Sequence, residues 1–168
     1  TGTIIEDKYI SKIMKITKEK NIPLIIDEAY YEFYGKSLIK YLRSNKNLFI
    51  LRTFSKAFGI AGARVGYIVS SRQNISYLSK FKPMYEVNSI GLVTAKLIIK
   101  NKKIVNDYVK KTLLAKKIII NYLRQNNIDY KNTKANFLLI DKKNIKKNIF
   151  NICKKNNILV SDKIFFKK

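Results

Sequence analysis

Leu51-Arg52-Thr53-Phe54-Ser55-Lys56-Ala57-Phe58-Gly59-Ile60-Ala61-Gly62-Ala63-Arg64-Val65-Gly66-Tyr67 runs from the end of an apolar stretch, through two hydroxyls and a lysine, into a glycine-containing segment that holds an arginine. The apolar stretch is Leu48-Phe49-Ile50-Leu51, a continuous run that suits a strand buried on both faces of a parallel sheet. Leu24-Ile25-Ile26, which follows Pro23 and ends at Asp27, is a run of the same kind, and 65–69 is another. A helix is predicted over 6–20, where Tyr9, Ile10, Ile13, Met14 and Thr17 recur at helical spacing between lysines. Strands and helices alternating in this way predict an α/β layered fold with a mostly parallel sheet.

Beyond this segment the period turns helical over 88–126, with Ile104, Tyr108, Ile118, Ile119, Tyr122 and Leu123 as candidate buried positions. A strand over 136–140, a helix over 144–155 and a strand at Ile158-Leu159-Val160 complete a smaller α/β unit. Cys153, on an apolar helical stripe with Ile149 and Ile152, reads as a core residue.

The 168 residues are one domain's worth, or one large lobe with part of a second, and 46% hydrophobic residues suffice for a core. No apolar run approaches the roughly 18 residues of a membrane span, and no basic-then-apolar leader precedes the first motif. With one cysteine and no histidine, an internal disulfide is excluded, and a zinc or haem site lacks its usual ligands. A cytoplasmic location fits this usage. The net charge of +24 raises the question of a polyanion partner. Its lysines are scattered along the whole chain among Asn and Ile, however, without a stacking-aromatic array or zinc-finger spacing. The charge reads as a compositional background on solvated faces, and nucleic-acid binding is the least favoured function.

Ligands of open α/β sheets bind beyond the carboxyl ends of strands. Three polar clusters fall at or near such ends: Asp27-Glu28-Ala29-Tyr30, Thr53-Phe54-Ser55-Lys56, and the glycine-containing segment with Arg64. Hydroxyls, backbone N–H groups and a guanidinium make a phosphate cup. A lysine beside it can form an imine with a phosphorylated aldehyde, and a neighbouring carboxylate can keep a ring nitrogen protonated. Each residue also has a plainer reading. Asp27 serves as a turn cap, Tyr30 as core, Thr53 and Ser55 as loop hydroxyls, and Arg64 as an ion-pair partner. Asn136 reads as a strand-end hydrogen bonder. The residues alone reach a phosphate-ligand site with an amine and an acid, and no further.

Ile25-Ile26-Asp27-Glu28-Ala29-Tyr30 and the 51–67 segment together resemble the two signature blocks of class I/II aminotransferases, enzymes of the pyridoxal-phosphate-dependent transferase fold type I. The wording is most similar to histidinol-phosphate aminotransferases. Thr1-Gly2-Thr3 resembles the end of a motif that precedes these blocks, and Asn136-Phe137-Leu138-Leu139 is similar to a strand of the family's small domain. The resemblance implies part of the large, mostly parallel-sheet domain over 1–95. Over 96–168 it implies an interdomain helix and part of the small α/β domain. The implied cofactor is pyridoxal 5'-phosphate, with Lys56 as the imine-forming lysine and proton carrier and Asp27 on the ring nitrogen. Tyr30 would bond the phenolic oxygen, while Thr53, Ser55 and Arg64 would bind phosphate. An amino donor and a 2-oxo acid are the implied substrates, histidinol phosphate with 2-oxoglutarate foremost, in a homodimer.

Complete members of the family are considerably longer. The sequence is therefore expected to be an incomplete member, without the upstream asparagine that contacts the ring and without the later arginine that binds the substrate carboxylate. Related readings are an aromatic aminotransferase, a threonine-phosphate decarboxylase or an inactive remnant.

Overall fold

The computed structural model describes residues 2–141 and 149–161. Helix α1 spans Asp7–Glu19, with Asp7 in its first turn and Lys18 in its last, each complementing the helix dipole. Strand β1 (Leu24–Asp27) leads into the four-residue helix α2 (Tyr31–Tyr34). Strand β2 (Leu48–Thr53) follows, and a 3-10 turn at Ala61–Ala63 separates it from β3 (Gly66–Val69). Helices α3 (Arg72–Ser79), α4 (Ser89–Lys100) and α5 (Lys102–Gln125) come next. Strands β4 (Tyr130–Asn132) and β5 (Leu138–Ile140) and helix α6 (Ile149–Lys155) complete the described chain.

β1 and β2 run parallel, with Leu24 opposite Leu48 and Asp27 opposite Leu51. β3 is antiparallel to β2, with Thr53 opposite Gly66. The three strands share one sheet in the order β1-β2-β3, while β4 and β5 pair separately. The α/β expectation stands, but this sheet is mixed. The dozen or so residues that join β2 to β3 form a folded loop and a 3-10 turn, with no helix of the kind that usually returns the chain to a parallel strand.

The sheet is also covered less fully than the apolar runs predict. Leu48 and Ile50 are completely buried and pack with Ile10 and Met14 of α1. Burying such side chains stabilises the fold by about 1.5–3 kcal/mol each. Ile25 and Ile68 are 62% and 44% exposed, so one face of the sheet lies open.

Two smaller clusters flank this core. Phe33, Ala57 and Val105 form one, and Phe54, Val65 and Ala95 the other. The second rests on α4, whose N-terminus is capped by Asn88 Oδ1 accepting from the Gly91 N–H at 2.7 Å. The expected division between 95 and 96 falls inside α4, which is continuous there.

Several sequence expectations are corrected here. Of the six candidate buried positions on the long helices, Leu123 alone is buried. Ile104, Tyr108, Ile118, Ile119 and Tyr122 are all exposed, and the inward stripe of α5 is Val105, Lys116, Ile120 and Leu123. Apolar and lysine residues alternate so densely that periodicity cannot choose the stripe. Ile158-Leu159-Val160 is not a strand. The Ile158 N–H instead closes the end of α6 on Cys153 O at 2.8 Å, beyond Asn157 at φ +57°. Cys153 is only half-buried, beside an exposed Ile152. The 144–148 part of the expected helix over 144–155 lies outside the described residues. Among the described residues, no helix is long and apolar enough to cross a membrane.

Candidate functional site

The sheet register gathers the sequence-selected residues along one edge. Asp27 ends β1, Thr53 ends β2, and Arg64 precedes β3, whose start lies opposite Thr53. Asp27 is exposed, and its Oδ1 accepts the Ala29 N–H at 2.9 Å, so the turn-cap reading holds for one oxygen. That bond tightens the turn that carries Tyr30. Tyr30 is half-buried against the cluster of Phe33, Ala57 and Val105, so the core reading holds for its ring.

Beyond β2 the chain folds back on itself. Thr53 Oγ1 accepts the Ser55 N–H at 3.0 Å, and the Gly59 and Ile60 N–H groups donate to Lys56 O and Phe54 O at 3.1 and 3.2 Å. Gly59 takes φ +72°, a conformation glycine adopts without Cβ strain. Phe54 and Ala57 are buried anchors at 4% and 1% exposure. Ser55 and Lys56, half-buried between these anchors, are held on a fixed loop. The Lys56 Nζ lies 5.4 Å from the centroid of the Tyr30 ring. Lysine and tyrosine, 26 positions apart in the chain, thus meet, and Asp27 begins the turn that carries the tyrosine.

Arg64 has left-handed backbone angles, φ +54° and ψ +40°, which are uncommon for a residue other than glycine. Its exposed guanidinium makes one long contact, 3.5 Å from Nη1 to Ala61 O. The preceding turn is pinned from behind: Asn88 Nδ2 donates to Ala63 O at 3.0 Å. Gly91 permits this approach, since a Cβ there would lie 2.7 Å from Ala63 O. Neither direct contact nor shared burial joins Arg64 to Lys56 among the described residues; the common sheet edge relates them.

The sequence reading missed the ion pair beneath the site. Arg52 Nη2 and Nε donate to Glu28 Oε2 at 2.9 and 3.2 Å, and Arg52 Nη2 reaches Ser37 Oγ at 2.8 Å. Ser37 Oγ and the Leu38 N–H donate to Glu28 in turn. The guanidinium also stacks on Tyr31, with 3.7 Å from Cζ to the ring centroid. Burial works against the Arg52 charge, but bonds to Tyr67 and Glu28 outweigh it and hold the guanidinium above its ordinary value. The signal was present in the sequence: Glu28 and Arg52 each lie one residue from a selected residue at a strand end. A cleft of about 780 Å³ opens beside Asp27 and Tyr30, lined further by Gly2, Thr3, Lys36 and Lys134, but not by Lys56.

Residues 1–165 match the aminotransferase class I and II family. The histidinol-phosphate aminotransferase of Caldanaerobacter subterraneus is 39% identical over 147 residues, covering 86% of this chain and 40% of that protein. That of Clostridium novyi is 35% identical over 145 residues, with coverage of 86% and 40%. The chain therefore spans about 40% of the length of these curated relatives. A solved histidinol-phosphate aminotransferase from Sinorhizobium meliloti, in complex with pyridoxal-5'-phosphate, superposes with a TM-score of 0.78 at 21% identity, covering 95% of this chain and 45% of that one; at this identity the likeness bears on the fold. A chain matched over nearly its whole length, with both signature blocks on one edge of an α/β sheet, belongs to the aminotransferase class I and II family.

Proposed function

We propose that this chain binds pyridoxal 5'-phosphate through Lys56 and forms the cofactor-holding part of an enzyme that transfers an amino group from histidinol phosphate to 2-oxoglutarate. The approach of Lys56 Nζ to the Tyr30 ring, 5.4 Å, beside the Asp27 turn, carries the reading. The donor set fits the cofactor: an amine for its aldehyde, a carboxylate for its ring nitrogen, and hydroxyls and a guanidinium for its phosphate. Asp27 keeps Oδ2 for such a partner while Oδ1 serves the turn. The identities of 39% and 35% to histidinol-phosphate aminotransferases support the choice of substrate.

In this reading Lys56 would hold the cofactor through its amine and would carry a proton to and from the substrate Cα. Its attachment to a fixed loop, with Phe54 and Ala57 as anchors, sets the point from which the Lys56 side chain reaches Tyr30. Asp27 holds a proton on the ring nitrogen. Tyr30, whose ring lies beside Nζ, would hydrogen-bond the cofactor's phenolic oxygen and so set the basicity of the amine. Ser55, Thr53 and Arg64 hold the phosphate. When bound, the cofactor supplies an electron sink for the substrate carbanion. A homodimer in the cytoplasm is part of the same proposal.

The test uses the purified chain with pyridoxal 5'-phosphate, followed by borohydride reduction and peptide mapping. Label concentrated on Lys56, with loss of the bound-cofactor absorbance in Lys56→Ala, is the expected result. Label spread evenly over the surface lysines would overturn it. Amino transfer from histidinol phosphate, compared with aromatic amino acids, then tests the substrate.

A further inference from the structure

Lys116 is the one lysine on the buried stripe of α5 and only 9% exposed, whereas Lys56 is half-buried and the other described lysines are exposed. Its ammonium meets neutral oxygens. Nζ donates to Thr133 O at 2.5 Å, to Ala135 O at 2.8 Å, and more weakly to Thr133 Oγ1 at 3.3 Å. Burial, and then the charge of Lys134, push this amine below its ordinary value. A methionine could fill the same space without desolvating a charge. What an apolar side chain cannot do is bind two carbonyls of one turn.

That turn touches the candidate site. Thr133, 3% exposed, donates its hydroxyl to Phe137 O and accepts the Ala135 N–H at 3.3 Å. The Lys134 N–H donates to Gly2 O at 3.1 Å, so the turn also holds the segment entering α1. Phe137 meets Tyr30 edge to face, with centroids 5.8 Å apart and planes at 74°. Tyr30 in turn lies under Lys56. A continuous set of contacts leads from α5 to the amine.

We propose that Lys116 is a positioning residue: its ammonium pins the 133–135 turn so that Phe137 buttresses Tyr30, and through Tyr30 fixes the setting of the Lys56 amine. The last step rests on the cofactor reading of Lys56, whereas the Lys116–Tyr30 link does not. The two are therefore read separately.

Ring-labelled tyrosine NMR of the chain without cofactor, with Tyr30 identified through Tyr30→Phe, tests the link itself. Lys116→Met should move the Tyr30 resonance and leave that of Tyr77 in place, and Lys116→Arg should restore it. With cofactor, Lys116→Met should shift the pH at which the bound-cofactor absorbance titrates. It should also weaken pyridoxal 5'-phosphate binding roughly tenfold, the scale seen when an outer-shell support of a metal ligand is removed. Phe137→Ala leaves α5 intact and should reproduce both effects, so it decides the matter if Lys116→Met fails to fold. An unmoved Tyr30 resonance in a folded Lys116→Met or in Phe137→Ala would overturn the proposal. A parent chain that never takes up the cofactor would sink the reading of Lys56, while the tyrosine spectra would still decide the link.

Discussion

Arg52 Nη2 lies 2.9 Å from Glu28 Oε2, and the two side chains are only 12% and 8% exposed, so a buried ion pair ties together the ends of the parallel strands β1 and β2. Asp27 and Thr53, the neighbours of these residues, belong to the proposed cofactor site. Glu28→Ala removes the acceptor for Arg52, Ser37 and the Leu38 N–H and leaves a buried guanidinium unpaired. Loss of one partner of such a pair is expected to cost about 3–5 kcal/mol. Arg52→Met combined with Glu28→Leu should cost less than the sum of the single changes. Urea unfolding of the parent, Arg52→Met, Glu28→Leu and the double variant measures the coupling, and that of Glu28→Ala the loss of the acceptor.

Gly91→Ala sets helix propensity against packing. Alanine at this first-turn position of α4 should gain less than the roughly 1 kcal/mol it gains in a helix interior. The new Cβ would stand 2.7 Å from Ala63 O, a backbone atom that Asn88 also holds. Overpacking of this kind costs about 1–3 kcal/mol, so the net sign should be destabilising. A raised melting temperature would show that the 61–63 turn yields easily.

Glu32 is half-buried, and burial raises its carboxyl above the ordinary value, the backbone bond and the Arg52 charge offsetting part of the effect. A raised carboxyl pKa means that the folded chain binds the proton more tightly than the unfolded one. The associated stability is fully present below the ordinary glutamate range and is lost as pH rises through the raised value. Glu32→Gln should therefore stabilise the chain at neutral pH, by no more than about 1 kcal/mol. The advantage should vanish in acid. Thermal melts of both proteins across pH 3.5–7 (about the ordinary carboxylate range and above) measure the difference.

Arg64→Asn removes the guanidinium but keeps a residue that tolerates the left-handed backbone observed there. If Arg64 binds phosphate, affinity for pyridoxal 5'-phosphate should fall by about ten- to a hundredfold, the equivalent of a charged hydrogen bond. Affinity for pyridoxal, which lacks the phosphate, should be unchanged. Equal losses for both ligands would remove Arg64 from the phosphate cup.

The strands that carry the site were legible because a run such as Leu48-Phe49-Ile50-Leu51 has few other ways to bury itself. The local turns were legible too, since Asp27 and Thr53 make their bonds to N–H groups two residues away. The buried face of α5 was not. Its inward position at 116 is a lysine, and its flanking isoleucines at 118 and 119 face outward. Only the docking of the 133–135 turn gives that lysine its partners.

The sequence by itself determined the α/β class and the two signature blocks, within one of which Lys56 lies, because these depend on residue type and on contacts a few positions apart. The tertiary structure decided which way β3 runs, which face of α5 is buried, and how Glu28 meets Arg52 and Lys56 meets Tyr30. Those outcomes depend on contacts between residues more than a dozen positions apart in the chain, and burial and charge pairing across such separations are settled only when the elements pack.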